Sequence, residues 1–202
     1  MNRPSRLCSL IIYGYIVFLN IYFIIKEKEW IILNDISSIH FDFIRVVRKK
    51  FLDLMKDTEK AVIQMEVDKL FWAPNNHSNS VEVIIKHMSG NLISRWTDFL
   101  TTDGEKTTRN RDKEFESTLE TREELMEIWS EGCQVFLSAL DTIKSEHLLQ
   151  TIYIRNEPHT VMEAVIRSLS HTSSHVGQVI YIAKQVTTEE KWTTLSIPKK
   201  QS

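Results

Sequence analysis

The sequence predicts an all-α protein built as a four-helix bundle. Three observations carry that expectation. Five glycines and four prolines in 202 residues leave few breakers, as a largely helical chain requires. Apolar residues recur at helical spacings along four long stretches, and no convincing sheet pattern competes with them. Two of those stretches open on capping boxes, Thr121 with Glu124 and Thr160 with Glu163. In each, the threonine hydroxyl can accept from the backbone three residues on while the glutamate reaches back. Long amphipathic helices bury their stripes most simply against one another.

The first bundle helix is expected from about Asp35 to Gln64, with Ile39, Phe43, Val46/Val47, Phe51, Leu54 and Val62 on its apolar side. A loop, Trp72 to Ser78, follows, with Pro74 and an Asn/Ser cluster as turn chemistry. The second helix opens at Asn79 or Ser80, either able to cap it, and runs to about Leu100. A polar stretch, Thr101 to Ser117, turns at Asp103-Gly104 and carries the charged run Arg109 to Glu114. The third helix starts at Thr121, with Leu125, Ile128/Trp129, Cys133, Phe136 and Leu140 on its inner side. Thr151 to His159 is β-prone but short and reads as an extended arm or small hairpin. The fourth helix opens at Thr160 and continues to about Val186. The connections around the third helix are long, which suits crossovers or functional loops better than tight up-down turns.

Residues 33–188 are therefore read as the bundle, 1–32 as a hydrophobic extension and 189–202 as a flexible tail. The run Leu7–Ile25 carries no charge and lies between Arg3/Arg6 and Lys26-Glu27-Lys28-Glu29. At about 20 residues it could span a bilayer. No small-residue cleavage site ends it, so its literal reading is a signal anchor. Basic residues on both flanks leave the orientation open. The preferred reading is a start assigned too early. Lys28-Glu29 can be encoded as a purine-rich ribosome-binding site, with Leu33, read from a TTG codon, as the true start. A membrane location then holds only if residues 1–25 are translated, and the cytoplasm is otherwise expected.

The net charge of −2 provides no electrostatic case for nucleic acid. Cys8 and Cys133 do not make a disulfide framework, and Cys133 falls within a helical pattern as a small apolar residue.

His171 and His175 are four residues apart, about one helical turn, so both imidazoles point the same way. They belong to a seam on the fourth helix: Ala164, Ser168, His171, His175, Gln178 and Ile182. The second helix carries a similar one, Ser80, Ile84, His87, Asn91, Ser94 and Asp98. Each seam is polar in its middle within a buried stripe, and buried imidazoles need partners. One divalent ion on His87, His171 and His175 would satisfy all three. It would leave a fourth position open, the layout of a catalytic rather than a closed structural site. Zinc, nickel, iron and manganese all accept imidazole. Asn91, Ser168 and Gln178 lie within about a turn of a ligand and are candidates to orient them. Set against this, lone histidines on helices are ordinarily core or surface residues, and a His-x-x-x-His pair arises by chance on exposed helices. No His-Glu-x-x-His peptidase motif is present, nor the Glu-x-x-His motifs of di-iron bundles. His40 falls on the first helix, while His77, His147 and His159 are expected in solvent. Arg95, Asp98 and the stretch Asp103 to Asp112 could close over a pocket, although such charge runs are more often plain solvated surface.

At these residues the chain resembles the DinB/YfiT-like superfamily of metal-dependent enzymes, in particular a Bacillus-type branch of unknown function. The likeness rests on Asn79 to Asn91, Ser94 to Lys106, Arg109-Asn110-Arg111-Asp112, Arg155 to Thr160 and His171-x-x-x-His175-Val176-Gly177-Gln178. It covers roughly Ile36 to Val186, and nothing before Leu33 matches. The resemblance implies a DinB-like four-helix bundle running up-down-down-up, with a long crossover after helix two. It implies one divalent metal on three histidines, here His87, His171 and His175, with zinc or nickel foremost and iron or manganese as alternatives. It also implies a homodimer. Characterised relatives include thiol S-transferases using bacillithiol or mycothiol, and related hydrolases or isomerases. The expected function is a metal-dependent enzyme on a small molecule, thiol S-transferase-like or hydrolytic, with a low-molecular-weight thiol as a candidate cosubstrate. The competing expectation is a non-enzymatic, metal-stabilised binding or stress protein.

Overall fold

The computed structural model describes residues 6–195; side chains are described for Tyr22, for 24–32 and from Asp35 onward. The chain divides into two compact units, Met1–Phe43 and Ile44–Ser202. The first is helical from Arg6 and exposes Trp30, Ile32, Ile39 and Phe41. Among the described residues no helix is long and apolar enough to cross a membrane. The membrane-anchor reading rests on Leu7–Ile25, whose side chains other than Tyr22, Ile24 and Ile25 lie outside the described set. The tail from residue 196 onward also lies outside it.

The structure is mostly helical, with one small sheet. Helix α1 (Arg6–Ile63) ends where the sequence suggests but begins well before Asp35. Its inner seam in the second unit is Val47, Phe51, Leu54, Thr58, Ala61/Val62, a repeat of fours and threes. Val46 and Ile39, expected to face inward, are 49% and 60% exposed. Val47 occupies the inward position beside Val46, and Ile39 belongs to the first unit. A single turn, α2 (Val67–Leu70), precedes the loop to α3 (Val81–Trp96). Ser80 caps α3, its Oγ accepting from the Val83 N–H at 3.2 Å. Helix α3 stops at Trp96, not Leu100, because Thr97 is extended and Asp98 takes φ 48°.

The long connection from Thr97 to Thr121 contains one short helix, α4 (Arg111–Glu114). Helix α5 (Arg122–Thr142) and helix α6 (Val161–Val186) both form their capping boxes. Between them a 3-10 turn, Ser145–His147, leads to a hairpin of β1 (Thr151–Ile154) and β2 (Glu157–Thr160). The antiparallel register pairs Thr151 with Thr160 and Ile154 with Glu157. Arg155 and Asn156 complete it with φ of 57° and 62°, the two positive values a type I′ turn requires. Ile152 and Ile154 face inward while Thr151 and Tyr153 face out. His159, expected in solvent, is half-buried on β2, with its Nε2 buried and unpartnered.

The core of the second unit lies where α3 and α5 meet. Phe136 takes Phe51 edge-on at 4.6 Å between ring centroids and Trp96 at 5.0 Å. Gly132 lets the two helices approach: a Cβ there would sit 2.6 Å from the Ser89 Cα. The Ser89 hydroxyl in turn donates to the Ile128 carbonyl at 2.6 Å. Cys133 is fully buried, and burial pushes its thiol far above the ordinary range, so it packs as an inert apolar group.

Candidate metal centre

The centre is built by α3 and α6. On α3, His87, Asn91 and Arg95 succeed one another by one turn each and share a face. On α6, Arg167, His171 and His175 do the same. The structure brings His87, His171 and His175 together, one ring nitrogen from each, all within 4.8 Å of one another. The Nε2 of His171 stands 3.3 Å from that of His87 and 3.2 Å from that of His175. His87 is buried, and the other two are half-buried.

What lies behind the rings decides what the facing nitrogens can do. The Nδ1 of His87 meets the Glu114 carboxylate at 3.0 Å. The Nδ1 of His175 meets the Gln178 amide oxygen at 2.9 Å. Both partners are acceptors, so each Nδ1 is the donor, and in a neutral ring the Nε2 then carries a lone pair. Two lone pairs therefore face the Nε2 of His171, which has at most one hydrogen to share. A cation answers that excess of acceptors. The two distances to His171 fit as well: zinc–nitrogen bonds of ~2.0–2.1 Å in a tetrahedron set nitrogens about 3.3–3.4 Å apart. Burial holds the His171 pKa down at about 4, with the neighbouring His175 and His87 adding to it. His175 is lowered too, first by burial, against the Gln178 hydrogen bond. His171 and His175 are thus held toward the neutral form, the state in which imidazole binds metal.

Glu114 reaches His87 because several contacts fix its short turn. Asn110 caps α4, its Oδ1 accepting from the Lys113 N–H at 3.2 Å. Arg109 grips the Glu114 carboxylate with Nε at 2.7 Å and NH2 at 2.8 Å, a bidentate pair. Burial would raise the Glu114 pKa, but the His87 and Arg109 hydrogen bonds hold it below the ordinary range. Downstream, the buried Glu82 accepts from the Thr118 and Leu119 N–H groups at 2.8 and 3.0 Å. Lys86 donates to Thr118 Oγ1 at 2.8 Å. Phe115 lies against the His87 ring, 5.3 Å between centroids.

Of the residues expected to orient the ligands, Gln178 holds His175. Ser168 instead accepts from the Trp96 indole at 3.0 Å, and Asn91 lines the cavity beside His87. Glu114 is not singled out by the sequence, because it sits in a charge run too short for periodicity to place; Arg109 falls within the Asp103-to-Asp112 stretch expected to close over a pocket. The family-like motif Arg109 to Asp112 is a second signal for that segment. Arg95 and part of the Asp103-to-Asp112 stretch do border the pocket, while Asp98 is exposed and lines a different hollow.

Glu105 is the other organising carboxylate. It accepts from Arg95 NH2 at 2.9 Å, Arg155 Nε at 2.8 Å and Arg109 NH1 at 3.3 Å. Burial would raise its pKa, but hydrogen bonds from Arg155 and Arg95 hold it at about 2. Asp103 secures the hairpin turn, its oxygens accepting from the Arg155 and Asn156 N–H groups at 2.9 and 2.8 Å.

Comparison with known proteins adds a family. The model of a family described as protein of unknown function (DUF1572) matches residues 38–201. No curated protein matches the chain.

Proposed function

We propose, from the premise that this chain belongs to the DUF1572 family across residues 38–201, that it is a DinB-like protein holding one divalent metal and acting as a metal-dependent enzyme on a small molecule. The observation that carries the reading is the meeting of three imidazole nitrogens within 4.8 Å of one another, with Glu114 and Gln178 holding the opposite nitrogens of two rings. On this reading His87, His171 and His175 are the ligands. Such an ion, when bound, supplies an open fourth position where a thiol is held as thiolate or a water is acidified. The chain's own residues orient the His87 and His175 rings and shape the cavity beside them. Zinc or nickel suits the all-imidazole donor set best, with iron or manganese as alternatives. Thiol transfer is the preferred reaction class and hydrolysis the second. The up-down-down-up bundle, the homodimer and a cytoplasmic location belong to the same proposal.

Elemental analysis of the purified full chain tests the site. About one equivalent of divalent metal per chain is expected, lost in each of His87→Ala, His171→Ala and His175→Ala. Full occupancy in any two of these variants removes the assigned triad. A screen with low-molecular-weight thiols then tests the chemistry. Turnover that a chelator abolishes supports the enzyme. Metal-dependent stability without turnover of any thiol or ester leaves a metal-stabilised binding protein.

A further inference from the structure

The histidine cluster opens onto a cavity of about 240 Å³ bordered by His87 and His171. Five arginines line the same cavity: Arg95, Arg109, Arg111, Arg155 and Arg167. They come from α3, the long connection, α4, the hairpin turn and α6, so no single amphipathic face explains their meeting. Two carboxylates are hydrogen-bonded to their side chains, Glu105 to Arg95, Arg109 and Arg155, and Glu114 to Arg109. Even with Asp103, whose oxygens serve backbone N–H groups, five cations meet three anions. The two arginines outside that network are Arg111, whose guanidinium lies over the Phe115 ring at 5.7 Å, and Arg167, which has no hydrogen-bond or ion-pair partner among the described residues. Arg167 precedes His171 by one turn of α6, on the same face.

The Arg95 and Arg109 side chains are buried and answered by Glu105 and Glu114, whereas Arg111, Arg155 and Arg167 are exposed around the cavity, and a concave rim of like charge concentrates a positive potential that draws an anion. Arginine forks also match the planar or tetrahedral oxygens of an oxyanion better than a lysine point charge would. We infer that this cavity is an oxyanion subsite: Arg167 and Arg111, with Arg155 at the rim, bind a carboxylate or phosphate group of the substrate. The remainder of that molecule reaches the histidine cluster. The inference rests on the metal-centre reading for the role of the bound molecule, but the subsite itself stands on the arginines. It narrows the substrate class to small acids and phosphate esters. A neutral thiol or ester would leave the excess charge unanswered.

Calorimetric titration of the full chain with inorganic phosphate, and separately with succinate, tests it. Saturable binding is expected for at least one of the two. It should weaken at least tenfold in Arg167→Gln and in Arg111→Gln, and weaken as salt is raised. The stronger of the two probes identifies the group the subsite prefers. Both arginines are exposed and outside the carboxylate network, so melting temperatures should stay at the wild-type value. The same titration in His175→Ala separates this inference from the metal reading, because His175 does not line the cavity. Binding that persists there without metal, and still depends on Arg167, supports the subsite even if no metal is ever found. Absence of saturable binding of both probes overturns it. So does binding that a chelator abolishes and neither arginine substitution alters, since the anion would then be sitting on the ion alone.

Discussion

At His87 the proton sits on Nδ1 because Glu114 accepts it there, and Gly90 leaves the space for that carboxylate. A Cβ at Gly90 would lie 2.9 Å from the Glu114 Cδ and closer still to Oε1. Glu114 could not keep both His87 and Arg109 against such a methyl group. Gly90→Ala is therefore expected to swing the carboxylate away and free His87 to rotate or change tautomer. Glu114→Gln keeps the shape but puts a neutral amide where a charged acceptor stood. Each should weaken metal affinity by roughly 10–100-fold, the usual effect of removing a ligand's orienting partner. Competition against a chromogenic chelator measures it, and wild-type affinity in both variants would show that Glu114 does not set the ring. The three histidines were legible from spacing, since a period of four on α6 and a polar gap on α3 are patterns within one element. Glu114 was not, because its partner lies 27 positions away, across a loop with no periodicity.

Between elements, Gly132 sets how closely α3 and α5 approach. A Cβ there meets backbone, the Ser89 Cα at 2.6 Å, and not the far end of a flexible side chain. Gly132→Ala should thus force the helices apart and cost about 1–3 kcal/mol, in spite of alanine's better helix propensity. Denaturant unfolding of the metal-free chain reads the loss directly; an unchanged midpoint would mean the helices slide to accommodate the methyl. Glu105 plays the corresponding part for the hairpin, joining β1–β2 to Arg95 of α3 through Arg155. Its carboxyl is held at about 2, against an ordinary 4.5. A depressed carboxylate stabilises the folded state above its unfolded pKa, and the effect fades as pH falls toward the folded one. Melting temperature should accordingly drop between pH ~4.5 and ~2 in the wild type. Glu105→Gln should start lower and show a shallower drop across that window. The element boundaries that sequence reading placed well were those written as local hydrogen bonds, the boxes at Thr121 and Thr160. The end of α3 was misplaced because apolar Phe99 and Leu100 continue the periodic pattern past the extended Thr97. The packing of Phe99 against Trp96, at 5.1 Å, explains why Phe99 is apolar without being helical.

For the molecule as a whole, the proposed ion would act as a cross-brace. It would tie α3 to α6 through the histidines, and α4 to both through Glu114. Those three elements are far apart in sequence, so the unfolded chain cannot offer the same donor set. Binding free energy then adds to folding free energy. At metal a hundred times above the dissociation constant the gain is about 2.7 kcal/mol. For a chain of this length that corresponds to a rise of roughly 5–10 °C in melting temperature. Scanning calorimetry with metal added and with chelator present should show this rise growing with the logarithm of free metal, as linkage requires. His175→Ala should show almost none of it, since losing one of three ligands removes the brace between elements. A Gln178→Ala variant should fall between the two, because Gln178 only orients His175. An identical metal-dependent rise in wild type and His175→Ala would place the ion elsewhere on the protein and leave the histidine cluster as packed imidazoles.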